Sequence, residues 1–360
     1  MHVCLICVEI FAWGKYGGFG KATRIIGREL VKRGVQVSAV VPRRGGQLAI
    51  ENLDGMRVYS FSNSEILSSI DIYRSIDADI YHSQEPSLGT YLARIAAPRR
   101  KHLVTFRDTR NWQDWITELK LPSVNRIQVI LNYLYEDNYL VGKAVREADG
   151  RYAASKLLIP KARSKYRLEE GPEFLPTPVE VPEKLEKSAT PTVCFVSRWD
   201  RRKRPEKYFE LARQFPEVQF VAIGTSRDKK WDQYLRNKYG DIDNLQMTGF
   251  IDQFESDAHS EVLGKSWVMV NTSAREGLPN SFIEACAHKC ALLSAVDPDE
   301  FASNFGLWVK DDDFGKGLRE LLTNERWMKQ AHHGYEYVLH NFEINKAMDS
   351  HLATYHQFSK

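Results

Sequence analysis

The sequence predicts an α/β protein of two Rossmann-like, doubly wound domains, and three observations support this fold class. The chain has 360 residues, too many for one ordinary hydrophobic core. Short apolar runs alternate with amphipathic stretches, which is typical of βαβ units and parallel sheets. The alternation is interrupted at residues 171–192, which are rich in proline and charge, and then restarts. We interpret that segment as a linker between two similar halves.

The first half supplies one domain, which we place at residues 1–172. Apolar residues from Ala22 to Val31 fall on one helical face, and Gly34 stands where that helix should end. The predicted strands of this domain are 3–10, 35–42, 56–61, 79–83, 102–108 and 150–155.

The second half, placed at residues 173–342, repeats the alternation of strands and helices. Because such sheets bind ligands beyond the carboxyl ends of their strands, we expect a ligand in the cleft between the two domains. The predicted strands are 192–198, 218–224, 245–251, 267–273 and 291–296, and the predicted helices are 205–215, 229–239, 254–264 and 281–288.

Composition argues against several kinds of partner. Lys and Arg number 50 against 47 Asp and Glu, and a net charge of +3 is too small to suggest nucleic acid. The opening MHVCLICVEIF has no charged n-region or cleavage site and is too short to span a membrane, so we expect a cytoplasmic protein. The five cysteines form no even disulfide framework and are expected to be reduced and buried.

The first candidate site is the loop GKYGGFGKATR at residues 14–24, between a strand and a helix. Gly17, Gly18 and Gly20 would let backbone amides approach a phosphate at the helix N-terminus. The spacing fits neither a P-loop nor the dinucleotide-binding pattern. A glycine-rich turn without a ligand therefore remains the alternative.

The second candidate site follows the strand at 192–198. Arg198 and Lys203 lie at its carboxyl end, where two cations would suit a diphosphate. The neighbouring Arg201 and Arg202 are interpreted as part of a solvated loop.

The third candidate site is the segment 271–294, in which a loop carries Glu276 and the next helix begins near Ser281. The Glu276 carboxylate could accept hydrogen bonds from sugar hydroxyls, and the loop and helix start offer amides to a phosphate. Glu284 has an alternative that needs no ligand, since Ser281-x-x-Glu284 matches a capping box.

In this order, the three segments resemble the retaining glycosyltransferases of family 4, which have the GT-B fold. The resemblance spans nearly the whole chain, and its most specific part is Glu276 followed by Glu284 with Gly-Leu-Pro-Asn-Ser between them. It implies that a helix near 345–358, within residues 343–360, returns to the first domain. It also implies donor-binding roles for Gly17, Gly18, Gly20, Gly277, Leu278, Pro279, Asn280, Ser281 and Glu284.

The resemblance implies transfer of a sugar from a nucleotide-sugar co-substrate to a saccharide, a glycolipid or a small molecule, with retention and without a metal or other cofactor. Arg198 and Lys203 would then neutralise the diphosphate, Glu276 would bind the donor sugar, and Glu284 would bind the ribose. Asp77 and Asp79 form an Asp-x-Asp before a strand rather than after one, so we assign them no metal.

The sequence departs from the family at Arg107, where many members place a histidine after the strand at 102–108. Arg107 cannot act as a general base at neutral pH, so it would bind a charged acceptor or the donor sugar, or mark an altered or lost activity. On the acceptor side we also place Asp108 and His82, for which a structural hydrogen bond is an equal alternative.

Residues 107–140 combine tryptophans, basic residues and apolar periodicity. They are interpreted either as an acceptor or membrane-surface element, which would put the protein at the inner face of a membrane, or as an ordinary core helix, which we favour. Trp112 could stack on an acceptor sugar. Two rival functions remain: a sugar-nucleotide epimerase on the same fold, and a non-catalytic nucleotide-sugar-binding protein. The oligomeric state is not predicted.

Overall fold

The computed structural model describes residues 1–14, 16–123 and 125–359. The chain divides into two compact units. Unit 1 contains residues 1–111, 131–178 and 344–360, and unit 2 contains residues 112–130 and 179–343.

Unit 1 is built on an eight-stranded sheet with the strand order β3-β4-β2-β1-β5-β6-β7-β8, in which only the pairing of β3 with β4 is antiparallel. Its strands are β1 (His2–Ile6), β2 (Gln36–Pro42), β3 (Ile50–Leu53), β4 (Met56–Phe61), β5 (Ile80–Ser83), β6 (Lys101–Phe106), β7 (Gly150–Ala153) and β8 (Glu173–Phe174).

The first fifteen-residue helix ends where the sequence indicates, because Gly34 adopts a φ of +78° and its amide donates to the Val31 carbonyl at 3.0 Å. The helices in this part of the chain are α1 (Gly18–Lys32), α2 (Ser69–Ile76), α3 (Leu88–Ala96), α4 (Trp112–Lys120), α5 (Arg126–Glu136), α6 (Tyr139–Arg146) and α7 (Leu158–Tyr166).

Unit 2 is built on a six-stranded, fully parallel sheet with the order β11-β10-β9-β12-β13-β14. Its strands are β9 (Thr192–Val196), β10 (Gln219–Ile223), β11 (Leu245–Gly249), β12 (Val268–Asn271), β13 (Ala291–Ser294) and β14 (Gly306–Trp308). The remaining helices are α8 (Pro205–Gln214), α9 (Lys229–Tyr239), α10 (Ala258–Lys265), α11 (Asn280–Ala287), α12 (Phe301–Phe305), α13 (Phe314–Leu322), α14 (Arg326–Asn341) and α15 (Ile344–Phe358).

The predicted α/β fold class with parallel sheets is confirmed, and the differences lie at element ends and edges. The predicted strand 3–10 is shorter and stops at Ile6. The sequence did not predict β3, β8 or β14, because short edge strands are partly exposed and lack a continuous apolar run. All five cysteines are buried and free.

The unit boundary differs from the prediction in two ways. It falls between residues 178 and 179 rather than after 172, and residues 112–130 group with unit 2. The proline-rich segment predicted as a linker contains Leu175, Thr177 and Val179, which are all buried, and Val179 bridges to Glu343. Its prolines favour an extended chain that packs along the protein, so composition alone suggested more freedom than the segment has.

Helix α15 belongs to unit 1 and is held there by buried polar contacts. His82, at the end of β5, pairs through Nδ1 with the Tyr355 hydroxyl and through Nε2 with Thr105 Oγ1, both at 2.7 Å. His351 Nε2 donates to the Pro176 carbonyl at 3.0 Å. His82 is thus fully occupied by structural hydrogen bonds.

We expect His351 to make unit 1 acid-sensitive. Burial lowers the pKa of His351 to about 4, opposed by its bond to Pro176. Below pH 6.5 the unfolded chain binds a proton that the folded chain refuses, so the free energy of unfolding should fall between pH 6.5 and 4, by up to about 3 kcal/mol. Urea unfolding of His351→Gln across this range should give a shallower dependence on pH.

His356→Gln is the matched control, because His356 is exposed on the same helix. The control should keep the pH dependence of the wild-type protein. An unchanged slope in His351→Gln would contradict the assignment.

Candidate active site

In unit 2, two loops meet beyond the carboxyl ends of the neighbouring parallel strands β9 and β12. The loop after β9 carries Arg198 and Lys203, and the loop after β12 carries Glu276. Since parallel strands end at the same edge of a sheet, residues far apart in sequence are brought together there.

Lys203 and Glu276 form a direct ion pair, in which Lys203 Nζ donates to Glu276 Oε1. The two side chains are only 13% and 12% exposed. Ser273 Oγ donates to the same carboxylate oxygen at 2.7 Å. Burial tends to raise the pKa of Glu276, but the neighbouring Lys203 and Arg202 outweigh it and the pKa is lowered. The glutamate is therefore an anion held at a defined position.

The backbones of the two loops are joined as well. Thr272 Oγ1 donates to the carbonyls of Lys203 at 2.6 Å and Arg204 at 2.9 Å. The amide of Ala274 donates to the Arg202 carbonyl at 2.9 Å. These bonds fix the spacing of Lys203 and Glu276 independently of the ion pair.

Arg198 is the more accessible cation, with a side chain 30% exposed and Nη2 3.0 Å from Asp200 Oδ2. Asp200 is fully buried. The backbone after β10 packs closely against the backbone after β9. A Cβ on Gly224, which has a φ of +138°, would lie 1.9 Å from the Ser197 carbonyl oxygen. This close packing holds the loop that presents Arg198.

The predicted capping box is wrong. Helix α11 begins at Asn280 with Pro279 as its N-cap, and no side chain caps it. Glu284 is therefore past the first turn, and its buried carboxylate lies 3.6 Å from His259 Nε2. Gly277, Leu278 and Pro279 form the loop between Glu276 and the helix, with Ser281 in the helix's first turn. Their donor-binding roles, and that of Glu284, stay predictions.

The glycine-rich loop of unit 1 has packing reasons for its glycines. A Cβ on Gly17 would lie 1.9 Å from Glu9 Oε1, and one on Gly20 would lie 2.8 Å from the backbone of Ile10 and Phe11. The amide of Gly20 donates to Glu9 Oε1 at 3.2 Å. A carboxylate thus already occupies the start of α1, where Gly18 is the first residue. The role of this loop towards a donor phosphate stays a prediction.

Arg107 is buried and its guanidinium is bonded within unit 1, to Thr177 Oγ1 at 3.0 Å and Gln84 Oε1 at 2.7 Å. Glu85 Oε2 accepts from the amides of Arg107 at 2.6 Å and Asp108 at 3.1 Å, and burial raises the pKa of Glu85 to about 8. Arg107 therefore joins the ends of β5 and β6 to the segment leaving unit 1.

Two further predicted residues, Asp108 and Trp112, lie in the segment after β6. Asp108 Oδ2 pairs with Arg110 Nε at 3.1 Å, and Trp112 is 68% exposed at the start of α4. The solvated-loop interpretation of Arg202 is wrong: Arg202 is buried and donates to Glu118 of α4. The sequence analysis missed this contact because no local pattern connects residues 84 positions apart.

Residues 178–338 match the family model of glycosyl transferases group 1. No curated protein sequence matches the chain. Among similar solved structures is sucrose-phosphate synthase from Thermosynechococcus elongatus, with 16% identity over 99% of this chain and 98% of that chain and a TM-score of 0.75. Another is Anabaena Alr3699/HepE in complex with UDP-glucose, with 11% identity over 99% of this chain and 100% of that chain and a TM-score of 0.72. WaaG, a glycosyltransferase involved in lipopolysaccharide biosynthesis, is also similar, with 14% identity over 96% of this chain and 98% of that chain and a TM-score of 0.69. At these identities the structures establish the fold, which is GT-B.

We expect Arg198→Ala to weaken binding of a nucleoside diphosphate ten- to hundredfold, since hydrogen bonds from a charged donor contribute about 1.5–3 kcal/mol. Calorimetry with whichever of UDP, GDP and ADP shifts the melting temperature most would measure it.

Arg201→Ala is the control, because Arg201 lies on the same loop but pairs with Asp228 at 2.9 Å and stacks on Trp231. Its affinity should stay within about threefold of wild type. Equal losses in both variants would remove Arg198 from the site.

Proposed function

We propose that this chain, whose residues 178–338 match the model of glycosyl transferases group 1, is a glycosyltransferase that transfers a sugar from a nucleoside diphosphate donor with retention of configuration and without a metal ion. The observation that carries the proposal is the buried pair of Lys203 and Glu276 together with the accessible Arg198, whose positive charge acts on Lys203. The UDP-glucose bound in the HepE structure supports the donor class.

The charges at this site match the needs of the reaction. As the bond between the sugar C1 and the phosphate oxygen breaks, negative charge grows on the leaving diphosphate. Arg198 and Lys203 are pre-placed cations that stabilise this charge, the task that a metal ion has in other transferases. Glu276 lies beside them and accepts hydrogen bonds from the hydroxyls of the donor sugar.

Retention follows if the acceptor attacks from the face that the diphosphate leaves. A new bond forms between the acceptor oxygen and C1, and the acceptor proton passes to an oxygen of the departing diphosphate. No protein carboxylate has to act as a nucleophile in this scheme. Arg107, which is buried and bonded to Gln84 and Thr177, is assigned a structural role rather than contact with the acceptor.

The acceptor in this proposal is a saccharide or a lipid-linked saccharide, as in polysaccharide biosynthesis, and helix α5 provides the reason for the lipid. Of its eleven residues only Val129 is buried. Four large apolar side chains recur at positions i, i+3, i+4 and i+7 and are 50–71% exposed: Ile127, Ile130, Leu131 and Leu134. An ordinary core helix would bury this stripe, so the interpretation of this segment as a core helix, which the sequence favoured, does not fit the observed exposure.

An anionic membrane surface is the occupant we propose for this stripe. The charged residues of α5 are Arg126, which is exposed, and Glu136, which pairs with Arg110 at 2.7 Å. An exposed apolar stripe with an exposed arginine at its start suits a helix that lies in a membrane interface. No helix among residues 1–14, 16–123 and 125–359 has the length and apolar character needed to cross a bilayer. The proposed location is the cytoplasmic face of a membrane.

We expect Glu276→Gln to lose at least a hundredfold in transfer while nucleoside diphosphate affinity stays within about threefold, because the amide keeps the shape but not the charge. Transfer to a panel of saccharide and lipid-linked acceptors would be followed by proton NMR of the new anomeric centre, with and without EDTA. Glu261→Gln, an exposed change on α10, is the control.

The same experiment separates the rival functions. Isomerisation of a nucleotide sugar without any acceptor would identify an epimerase instead. Donor binding with no product from any acceptor would identify a binding protein. Wild-type transfer rates in Glu276→Gln would remove this residue from the mechanism.

We expect the double variant Ile127→Ser/Leu134→Ser to bind anionic lipid vesicles about thirtyfold more weakly than wild type, since two partly inserted side chains each contribute about 1 kcal/mol. Vesicle co-sedimentation would measure this. Leu67→Ser is the control, because Leu67 is 67% exposed and outside the stripe. Equal binding of the double variant and wild type would contradict the membrane surface.

A further inference from the structure

Helix α4 places a carboxylate against the two arginines that flank the catalytic pair. Arg202 directly precedes Lys203, and its Nη1 donates to Glu118 Oε1. Arg275 directly precedes Glu276, and its Nη1 lies 3.5 Å from the same Glu118 oxygen. One carboxylate therefore contacts both loops of the site.

These three side chains are nearly withdrawn from water. Arg202, Arg275 and Glu118 are each 8% exposed. A second acid of α4, Asp114, lies 2.7 Å from Arg275 Nε. Removing one partner of such a buried group leaves an uncompensated charge, which is strongly destabilising locally. The position of both arginines thus depends on α4.

Every cation at this edge of the sheet has its own counter-charge. Arg198 faces Asp200 and Lys203 faces Glu276. Arg202 and Arg275 are tied to α4, so Arg198 and Lys203 are the two cations that we assign to a diphosphate, each oriented by one acid. A diphosphate would then meet two directed cations instead of a diffuse basic patch.

We propose that Glu118, supported by Asp114, is a positioning residue of the donor site. It holds Arg202 and Arg275, and through them it sets the relative position of Lys203 and Glu276. The link is short, because the Ala274 amide, between Ser273 and Arg275, donates to the Arg202 carbonyl. The inference rests on the proposed function for its kinetic consequence, and on the loop contacts for its structural one.

The test uses the full chain with Glu118→Gln, which keeps the side-chain shape and removes the charge. We expect kcat to fall ten- to hundredfold and KM for the donor to change by less than about threefold. Glu118→Asp should recover part of the loss. Glu320→Gln is the matched control, since Glu320 forms an ion pair with Arg326 in unit 2 far along the chain from these loops.

A double-mutant cycle with Glu276→Gln distinguishes positioning from an independent effect. If Glu118 acts through the catalytic pair, adding Glu118→Gln to the Glu276→Gln variant should lower the residual transfer rate by less than about threefold. Fully multiplicative losses would overturn the proposal. So would wild-type kcat in a folded Glu118→Gln protein.

Hydrogen exchange gives a readout that does not need activity. In Glu118→Gln, exchange of residues 272–276 should be at least tenfold faster than in Glu320→Gln, with other segments unchanged. Unchanged exchange would overturn the proposal whether or not the wild type transfers sugar. An absence of transfer by the wild type would instead refute the proposed function. If Glu118→Gln does not fold, Asp114→Asn carries the same test with a smaller expected effect.

Discussion

The ion pair between Lys203 and Glu276 is the constraint on which the candidate site depends. Each charge is nearly buried, and neither would be tolerated there without the other. The pair holds an anion and a cation side by side at the end of two adjacent parallel strands. In the proposed function, this anion and this cation are the partners of the donor's hydroxyls and of its diphosphate.

Around that pair, charge is arranged in matched couples. Asp200 faces Arg198, and Glu118 and Asp114 face Arg202 and Arg275. Such pairing keeps a run of basic residues from repelling itself inside a folded protein. It also means that helix α4, which follows β6 in the chain, contributes to the candidate site.

Unit 1 uses its buried polar residues differently. His82, His351 and Arg107 are all spent on hydrogen bonds that tie strand ends to α15 and to the segment that leaves the unit. Burial of the His351 side chain lowers its pKa, and burial of the Glu85 side chain raises its pKa, as expected where charge is removed from water. These hydrogen bonds hold strand ends, α15 and the segment after β8 together within unit 1.

The sequence by itself determined the α/β class, most strand positions, the first helix, several helices of the second half and the likeness to glycosyltransferases, because periodicity, glycine stops and the Glu276 to Glu284 segment are local signals. Only the tertiary structure decided that Arg107 and His82 are buried and hydrogen-bonded within unit 1, that Glu284 caps no helix, and that Arg202 is buried. Those outcomes depend on Thr177, Tyr355, His259 and Glu118, which are brought close by the fold from distant parts of the chain. Charge type can be read from a sequence, but the partner of a charge is set by three-dimensional packing.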